Sequence, residues 1–269
     1  MVDSSSPIGV FDSGIGGLTV ARELMRQLPH ESIVYFGDTA RVPYGPKSPD
    51  TVIRYSREIT NFLKAQGVKA VVVACNTATA HALPTLREEN DLPIVGVIEP
   101  GSRAAARATK SGNVGVIGTQ GTINSHAYER AIAAELPSAN IIARACPLFV
   151  PLVEEGWLET DATNIIAREY LAGFVDADVD TLVLGCTHYP LLKRAIGEVV
   201  GRSVRLIDSA EETAAETATT LRDAGLEQTD GERPPTYRFI ASDAPDQFLR
   251  VGQRFLGKTI DRVETVTLG

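Results

Sequence analysis

KAVVVACNTATA, residues 69–80, decides the fold. Val71, Val72 and Val73 form a continuous β-branched run with no polar alternation, as expected of a parallel strand buried on both faces. The run ends in Cys75 and passes at once into a helical pattern, so the thiol stands at the carboxyl end of a strand. A second stretch, DTLVLGCTHYP at 180–190, repeats the arrangement around Cys186. Outward from these two, strands are expected at Ile8 to Phe11, Ser32 to Phe36, Ile94 to Ile98, Val114 to Ile117, Asn140 to Ala143 and Tyr237 to Ala241. Amphipathic stretches of helical length separate most of them, which predicts βαβ units and a parallel sheet.

The two cysteine strands are each preceded by a similar opening. Ile8-Gly9-Val10-Phe11-Asp12-Ser13-Gly14 begins the first unit, and Val114-Gly115-Val116-Ile117-Gly118-Thr119-Gln120-Gly121 begins the second. Gly9 to Cys75 spans 66 positions and Gly115 to Cys186 spans 71. Self-similarity of this kind predicts two related α/β lobes, each offering one thiol at a strand end. Helix starts are legible as well. Ser48-Pro49-Asp50 reads as cap, first-turn proline and first-turn acid. Ser209 with Glu212 three positions on reads as a capping box for a helix running to about Ala224. A polar, proline-bearing loop is expected over 228–236.

Composition narrows the function classes. The 269 residues carry 26 basic and 34 acidic side chains, a formal charge of −8, with 43% hydrophobic and 22% charged residues. That is an ordinary globular balance for one large domain or two compact ones. Its acidity argues against a general nucleic-acid or membrane-surface binder. No signal peptide or membrane-spanning run is evident. Three cysteines without a CxxC pair leave no disulfide framework and no usual zinc set, so a reducing cytoplasm is expected.

Ligands bind at the carboxyl ends of strands in open parallel sheets, where Cys75 and Cys186 stand. A thiol at a helix start feels the positive end of the dipole, which favours thiolate. Cys146, in an apolar stretch without a polar helper, reads as structural. Two thiols on facing lobes suit a disulfide couple, or acid/base work on both faces of one carbon, where one sulfur removes a proton and the other supplies one. A binding protein using the same cleft without turnover is a further alternative. Asp12 precedes the glycine-rich turn Ser13-Gly14-Ile15-Gly16-Gly17, which lacks the dinucleotide spacing but could hold a phosphate or a carboxylate. His188 is placed to exchange protons with Cys186, and Glu154 has only its acidity to recommend it. Asn76, Thr77, Thr119 and Thr187 are candidate carboxylate donors or simple helix caps.

The motifs Phe11-Asp12-Ser13-Gly14, Gly37-Asp38, Pro43-Tyr44-Gly45, Ala74-Cys75-Asn76-Thr77-Ala78, Gly185-Cys186-Thr187-His188-Tyr189-Pro190 and Ile207-Asp208-Ser209-Ala210 resemble those of the bacterial glutamate racemases, in the aspartate/glutamate racemase family. The resemblance runs from about Ile8 to Ala210. It implies two similar parallel-sheet α/β lobes with the active site in the cleft between them. The first lobe would comprise 1–98 and 208–269, carrying Asp12 and Cys75; the second, 99–207, would carry Glu154, Cys186 and His188. It implies interconversion of L- and D-glutamate with no cofactor and no metal, supplying D-glutamate for peptidoglycan and hence for cell-wall biogenesis and cell shape. Cys75 would act on the D-enantiomer with Asp12 as helper, and Cys186 on the L-enantiomer with His188 and Glu154. Asp12, Ser13, Tyr44, Gly45, Asn76, Thr77, Thr119, Thr187 and His188 match substrate-binding positions. Partners are expected to be the small-molecule substrate and a second copy in a homodimer, with no nucleic acid and no membrane. With seven residues ahead of the first strand, activation by a cell-wall precursor, linked in some members to an N-terminal extension, is not expected.

Overall fold

The computed structural model of the chain describes residues 2–229, 231 and 233–268. Asp230 and Glu232, within the loop expected over 228–236, lie outside the described residues. Strands β1 (Ile8–Asp12), β2 (Ile33–Gly37), β3 (Ala70–Val73), β4 (Ile94–Gly96), β5 (Asn113–Gly118), β6 (Asn140–Ala145), β7 (Thr181–Gly185), β8 (Arg205–Asp208), β9 (Tyr237–Ala241) and β10 (Glu264–Thr265) form two sheets. The first is ordered β10-β9-β2-β1-β3-β4 and the second β6-β5-β7-β8, and every pairing in both is parallel.

The internal repeat is present in the topology. Four consecutive strands take the order second-first-third-fourth in each sheet. Register matches too: Gly9 lies opposite Val71, and Gly115 opposite Leu182. Two positions further along, Phe11 lies opposite Val73 and Ile117 opposite Leu184, and two positions beyond these come Cys75 and Cys186. The two thiols therefore occupy equivalent places, a consequence of chain pattern and not of local accident.

Burial explains which strands are continuously apolar. β1, β2, β3 and β7 are buried at every residue, covered by helices on both faces, and their sequences lack alternation accordingly. β6 lies at a sheet edge, is partly exposed throughout, and carries Asn140 and Arg144. One hydrophobic core runs from the inner face of the first sheet through Ile98, Ala105, Tyr128 and Ala214 into the second sheet. Another packs the outer face of the first sheet against the helices Pro49–Ala65 and Asn76–Glu88. Ile59 and Leu63 in it are fully buried, each contributing about 1.5–3 kcal/mol relative to exposure. The lobes thus share apolar packing on one side, and the cleft opens where strands end.

Strand predictions hold to within a residue or two at most ends, with two corrections. Ile98 begins the helix Ile98–Ala108 instead of closing β4, because the strand ends at Gly96. The short strands β8 and β10 were not anticipated: neither Arg205–Asp208 nor Glu264–Thr265 has a long apolar run. Ser48 caps the helix Pro49–Ala65 as expected, its hydroxyl accepting from the Thr51 N–H. The capping box at Ser209 is corrected. Asp208 is the cap, its carboxylate accepting from the Ala210 N–H at 3.0 Å, and Ser209 is the first residue of the helix Ser209–Asp223. Asx side chains reach the first-turn donors as readily as serine, so the cap sits one residue earlier.

Deep in the first lobe, Lys69 and Glu31 form a fully buried ion pair. Lys69 Nζ also donates to the Ser4 carbonyl at 2.6 Å, and Glu31 Oε1 accepts from the Gln228 N–H at 2.9 Å. The pair therefore ties the N-terminal segment to the chain that leads into β9.

Candidate active site

Cys75 caps the helix Asn76–Glu88, and its sulfur accepts from the Ala78 N–H at 3.4 Å. Its thiol lies 3.7 Å from the Ser13 hydroxyl, in the turn after β1. Cys75 is 6% exposed. Burial, reinforced by the neighbouring Asp12 carboxylate, pushes its thiol up to about 12. The resting form is the protonated thiol, despite the helix start.

Asp12 is buried at the end of β1, with Oδ2 held by the Gly14 N–H at 2.9 Å. Oδ1 has no hydrogen-bond partner among the described residues. Burial raises its pKa, opposed by the charge of His188 and by backbone N–H groups. One oxygen of the buried carboxylate is thus left without a hydrogen-bond partner among the described residues.

Across the cleft, Cys186 follows β7 and is likewise 6% exposed. Its sulfur lies 3.9 Å from His188 Nδ1, and His188 Nε2 lies 3.0 Å from Glu154 Oε1. Burial disfavours the imidazolium, but hydrogen bonds to Cys186 and Glu154 outweigh it and push His188 up to about 10. Phe255 packs its ring edge-on against His188, with centroids 5.0 Å apart. Cys146 is fully buried in the core among Phe149 and Tyr189, outside this cleft, and burial pushes its thiol up to about 12.

The remaining sequence candidates converge here. Ser13, Tyr44, Gly45, Cys75, Asn76, Thr77, Thr119, Cys186, Thr187 and His188 line one narrow space of about 40 Å3, with Val42, Pro43 and Val150. Thr119 caps the helix Gln120–Asn124 and also meets Thr77 across the lobes, with hydroxyl oxygens 2.8 Å apart. Thr122 completes that group, 3.2 Å from Thr77 and 3.0 Å from Thr119. Tyr44 is anchored through its hydroxyl, which donates to the buried Asp38 carboxylate. Asp38 also accepts from Arg41 Nε and from the Ser242 hydroxyl at 2.9 Å, so β9 helps fix the loop carrying Tyr44 and Gly45. A side chain on Gly16 would place its Cβ 2.3 Å from Thr187 Oγ1 and 2.5 Å from His188 Nδ1. Only glycine lets the β1 turn approach the second lobe this closely.

Asp12 and Glu154 stand behind this wall, each next to a residue that lines it. Sequence reasoning missed Val42, Val150, Thr122 and Phe255. Thr122 had a signal, since it stands one helical turn after Thr119 and shares its face. Val42, Val150 and Phe255 had none, because an apolar side chain lining a cleft reads like any core residue. Among the described residues, no group of three His, Cys, Asp or Glu side chains could hold a metal ion.

Two parallel sheets with a buried thiol at equivalent strand ends, one beside a carboxylate and the other beside a histidine–glutamate pair, suit proton transfer at two faces of a bound carbon acid. Residues 8–217 match the Asp/Glu/Hydantoin racemase family, and the chain belongs to it, within its glutamate racemase branch. A glutamate racemase from Geobacter metallireducens is 56% identical over 97% of this chain and 96% of its own length. The crystal structure of a glutamate racemase from Bacillus anthracis matches with a TM-score of 0.94 at 44% identity, covering 98% of both chains. That of the Francisella tularensis glutamate racemase in complex with D-glutamate matches with a TM-score of 0.92 at 39% identity, again over 98% of both. No described helix is long and apolar enough to cross a membrane.

Proposed function

We propose that the cleft interconverts L- and D-glutamate by two-base proton transfer between Cys75 and Cys186, without a cofactor. The observation that carries this reading is the pair of equivalent thiols lining one space, each with its own ionisable neighbour. The Francisella relative's complex with D-glutamate supports the substrate. In the L-to-D direction, the Cys186 thiolate takes the Cα proton and becomes a thiol. The resulting planar carbanion receives a proton from the Cys75 thiol on its opposite face, leaving Cys75 as thiolate. One S–H bond forms as the other breaks, and the centre inverts. The reverse reaction exchanges the two roles.

The neighbours supply what each sulfur lacks. An imidazolium at His188, kept charged by Glu154, stabilises a thiolate at Cys186. Cys75 rests as a thiol, ready to donate; to act as base it needs an acceptor, and Asp12 has a raised pKa and a free oxygen. That oxygen also suits the substrate ammonium. The polar groups of Ser13, Asn76, Thr77, Thr119 and Thr187, with the backbone at Tyr44 and Gly45, suit the two carboxylates. A space of about 40 Å3 is well below the roughly 300–1,000 Å3 of ordinary ligand sites, so the lobes part to admit glutamate.

The sheets support a division close to 1–98 with 208–269 and 99–207, with residue 208 itself closing β8 of the second sheet. The same reading places the enzyme in the cytoplasm, supplying D-glutamate to peptidoglycan, and includes a homodimer. Chiral chromatography of the purified, reduced protein with L-glutamate tests the core of it. D-glutamate should accumulate to equal amounts with L, and Cys75→Ser or Cys186→Ser should each stop this. Racemisation unaffected by either substitution would overturn the two-thiol reading.

A further inference from the structure

Tyr128 touches both halves of the site without lining it. It is the second residue of the helix Ala127–Glu135, reached through a left-handed turn at His126 (φ 53), and it is 1% exposed. Its hydroxyl donates to Asn76 Oδ1 at 2.7 Å, across the lobe boundary. Asn76 is the residue after Cys75. Its other amide atom, Nδ2, is buried and has no partner among the described residues. On the opposite side, the Tyr128 ring lies against Gly185, the residue before Cys186: a Cβ there would fall 2.9 Å from ring carbon Cε2. The Ser209 side chain also stands beside the Tyr128 ring, both facing Gly101, at the start of the helix Ser209–Asp223.

We propose that Tyr128 is a positioning residue for the reaction, orienting the Asn76 amide so that its N–H groups face the substrate and gripping the strand end that carries Cys186. The inference rests on the racemase reading above, in which Asn76 binds a substrate carboxylate. An amide has one acceptor and one donor end. The phenol engages the acceptor end, and the donor end is left for the ligand. Without the phenol, Asn76 can rotate, and binding weakens before chemistry does. Ser209, part of the Ile207-Asp208-Ser209-Ala210 motif, stands beside Tyr128 at one further remove.

Steady-state kinetics on Tyr128→Phe, Asn76→Ala and the double variant test this. Tyr128→Phe keeps the ring against Gly185 and removes only the hydroxyl. KM for each glutamate enantiomer should rise about five- to tenfold, the scale of one net hydrogen bond, with kcat changed less than about threefold. In the double variant, Tyr128→Phe should add no further rise to that of Asn76→Ala, because its effect passes through that amide. Unchanged KM in Tyr128→Phe, a loss confined to kcat, or fully additive losses would overturn the proposal. Should Tyr128→Phe not fold, Ser209→Ala decides: a smaller KM rise that vanishes in the Asn76→Ala background supports it, and an unchanged KM contradicts it. The wild-type arm separates the two levels. Active wild type with unaffected variants refutes the role of Tyr128 alone, whereas inactive wild type refutes the racemase reading and this inference with it.

Discussion

An imidazole held between a sulfur and a carboxylate is a proton reservoir for one side of a substrate only. His188 stands with Cys186 and Glu154, so on the proposed mechanism its removal should affect the proton assigned to Cys186. His188→Asn should slow solvent exchange of the Cα hydrogen of L-glutamate at least about tenfold more than that of D-glutamate, within the usual range of acid–base contributions. Initial deuterium incorporation must be used for this. The enantiomers have equal free energy, so kcat/KM for net racemisation stays equal in both directions in any variant. Equal losses of exchange would contradict the assignment. The raised pKa of His188 adds a pH dependence. Its folded value is pushed from 6.5 to about 10, so the stability it contributes is complete below 6.5 and lost as pH rises through about 10. Exchange of L-glutamate should fall over the same alkaline range, and Glu154→Gln should move that limb to lower pH in a pH–rate profile. At this scale the two thiols, Asp12 and His188 were legible from their places at strand ends. Glu154 became so only through resemblance, since 34 residues separate it from its partner and no spacing rule links them.

Most of the candidate site residues stand at or just past the end of an element, and the starts of helices matter most. Cys75, Thr119 and Asp208 are all caps. The first two also line the cleft, so a cap and a proposed site residue coincide. Asp208 also accepts from Lys193 Nζ at 2.6 Å, a pair in which the lysine is exposed and the carboxylate largely buried. Asp208→Ala should destabilise the fold by about 1 kcal/mol, read as a lower midpoint in urea unfolding, mostly through the lost cap. A midpoint equal to wild type would show that Ser209 or solvent satisfies the helix start instead. Buried strands were legible because parallel sheets remove alternation. β8 was missed because Arg205-Leu206-Ile207-Asp208 is short and polar at both ends, and β10 because two residues leave no pattern to read. The misplaced cap is the same difficulty in miniature: Asp208 and Ser209 are both good caps, and only backbone geometry chooses between them.

The duplicated four-strand order gives the molecule two similar halves facing a shared space, and the approach between them is set by backbone as much as by side chains. Gly16 is the tightest point. Gly16→Ala would push its Cβ into Thr187 and His188, forcing the β1 turn away from the second lobe. Activity should fall by about two orders of magnitude, as expected for a displacement near 1 Å between reacting groups. Far-ultraviolet circular dichroism should be unchanged, and full activity would mean that the lobes tolerate a wider gap. The pairing of lobes was legible from the spacing of Gly9 to Cys75 and Gly115 to Cys186. The contacts that join them were not: Thr77 with Thr119, and Asn76 with Tyr128, connect residues 42 and 52 positions apart with no local signature. The central claim is that two opposed thiols exchange the α-proton of glutamate, and proton NMR in D2O with reduced protein and L-glutamate tests it most directly. The Cα–H signal should disappear with wild type and persist with the Cys75→Ser/Cys186→Ser double variant. A parallel tube of L-aspartate should keep its signal. Persistence of the glutamate signal with folded wild-type protein, or its loss with the double variant, would contradict the account.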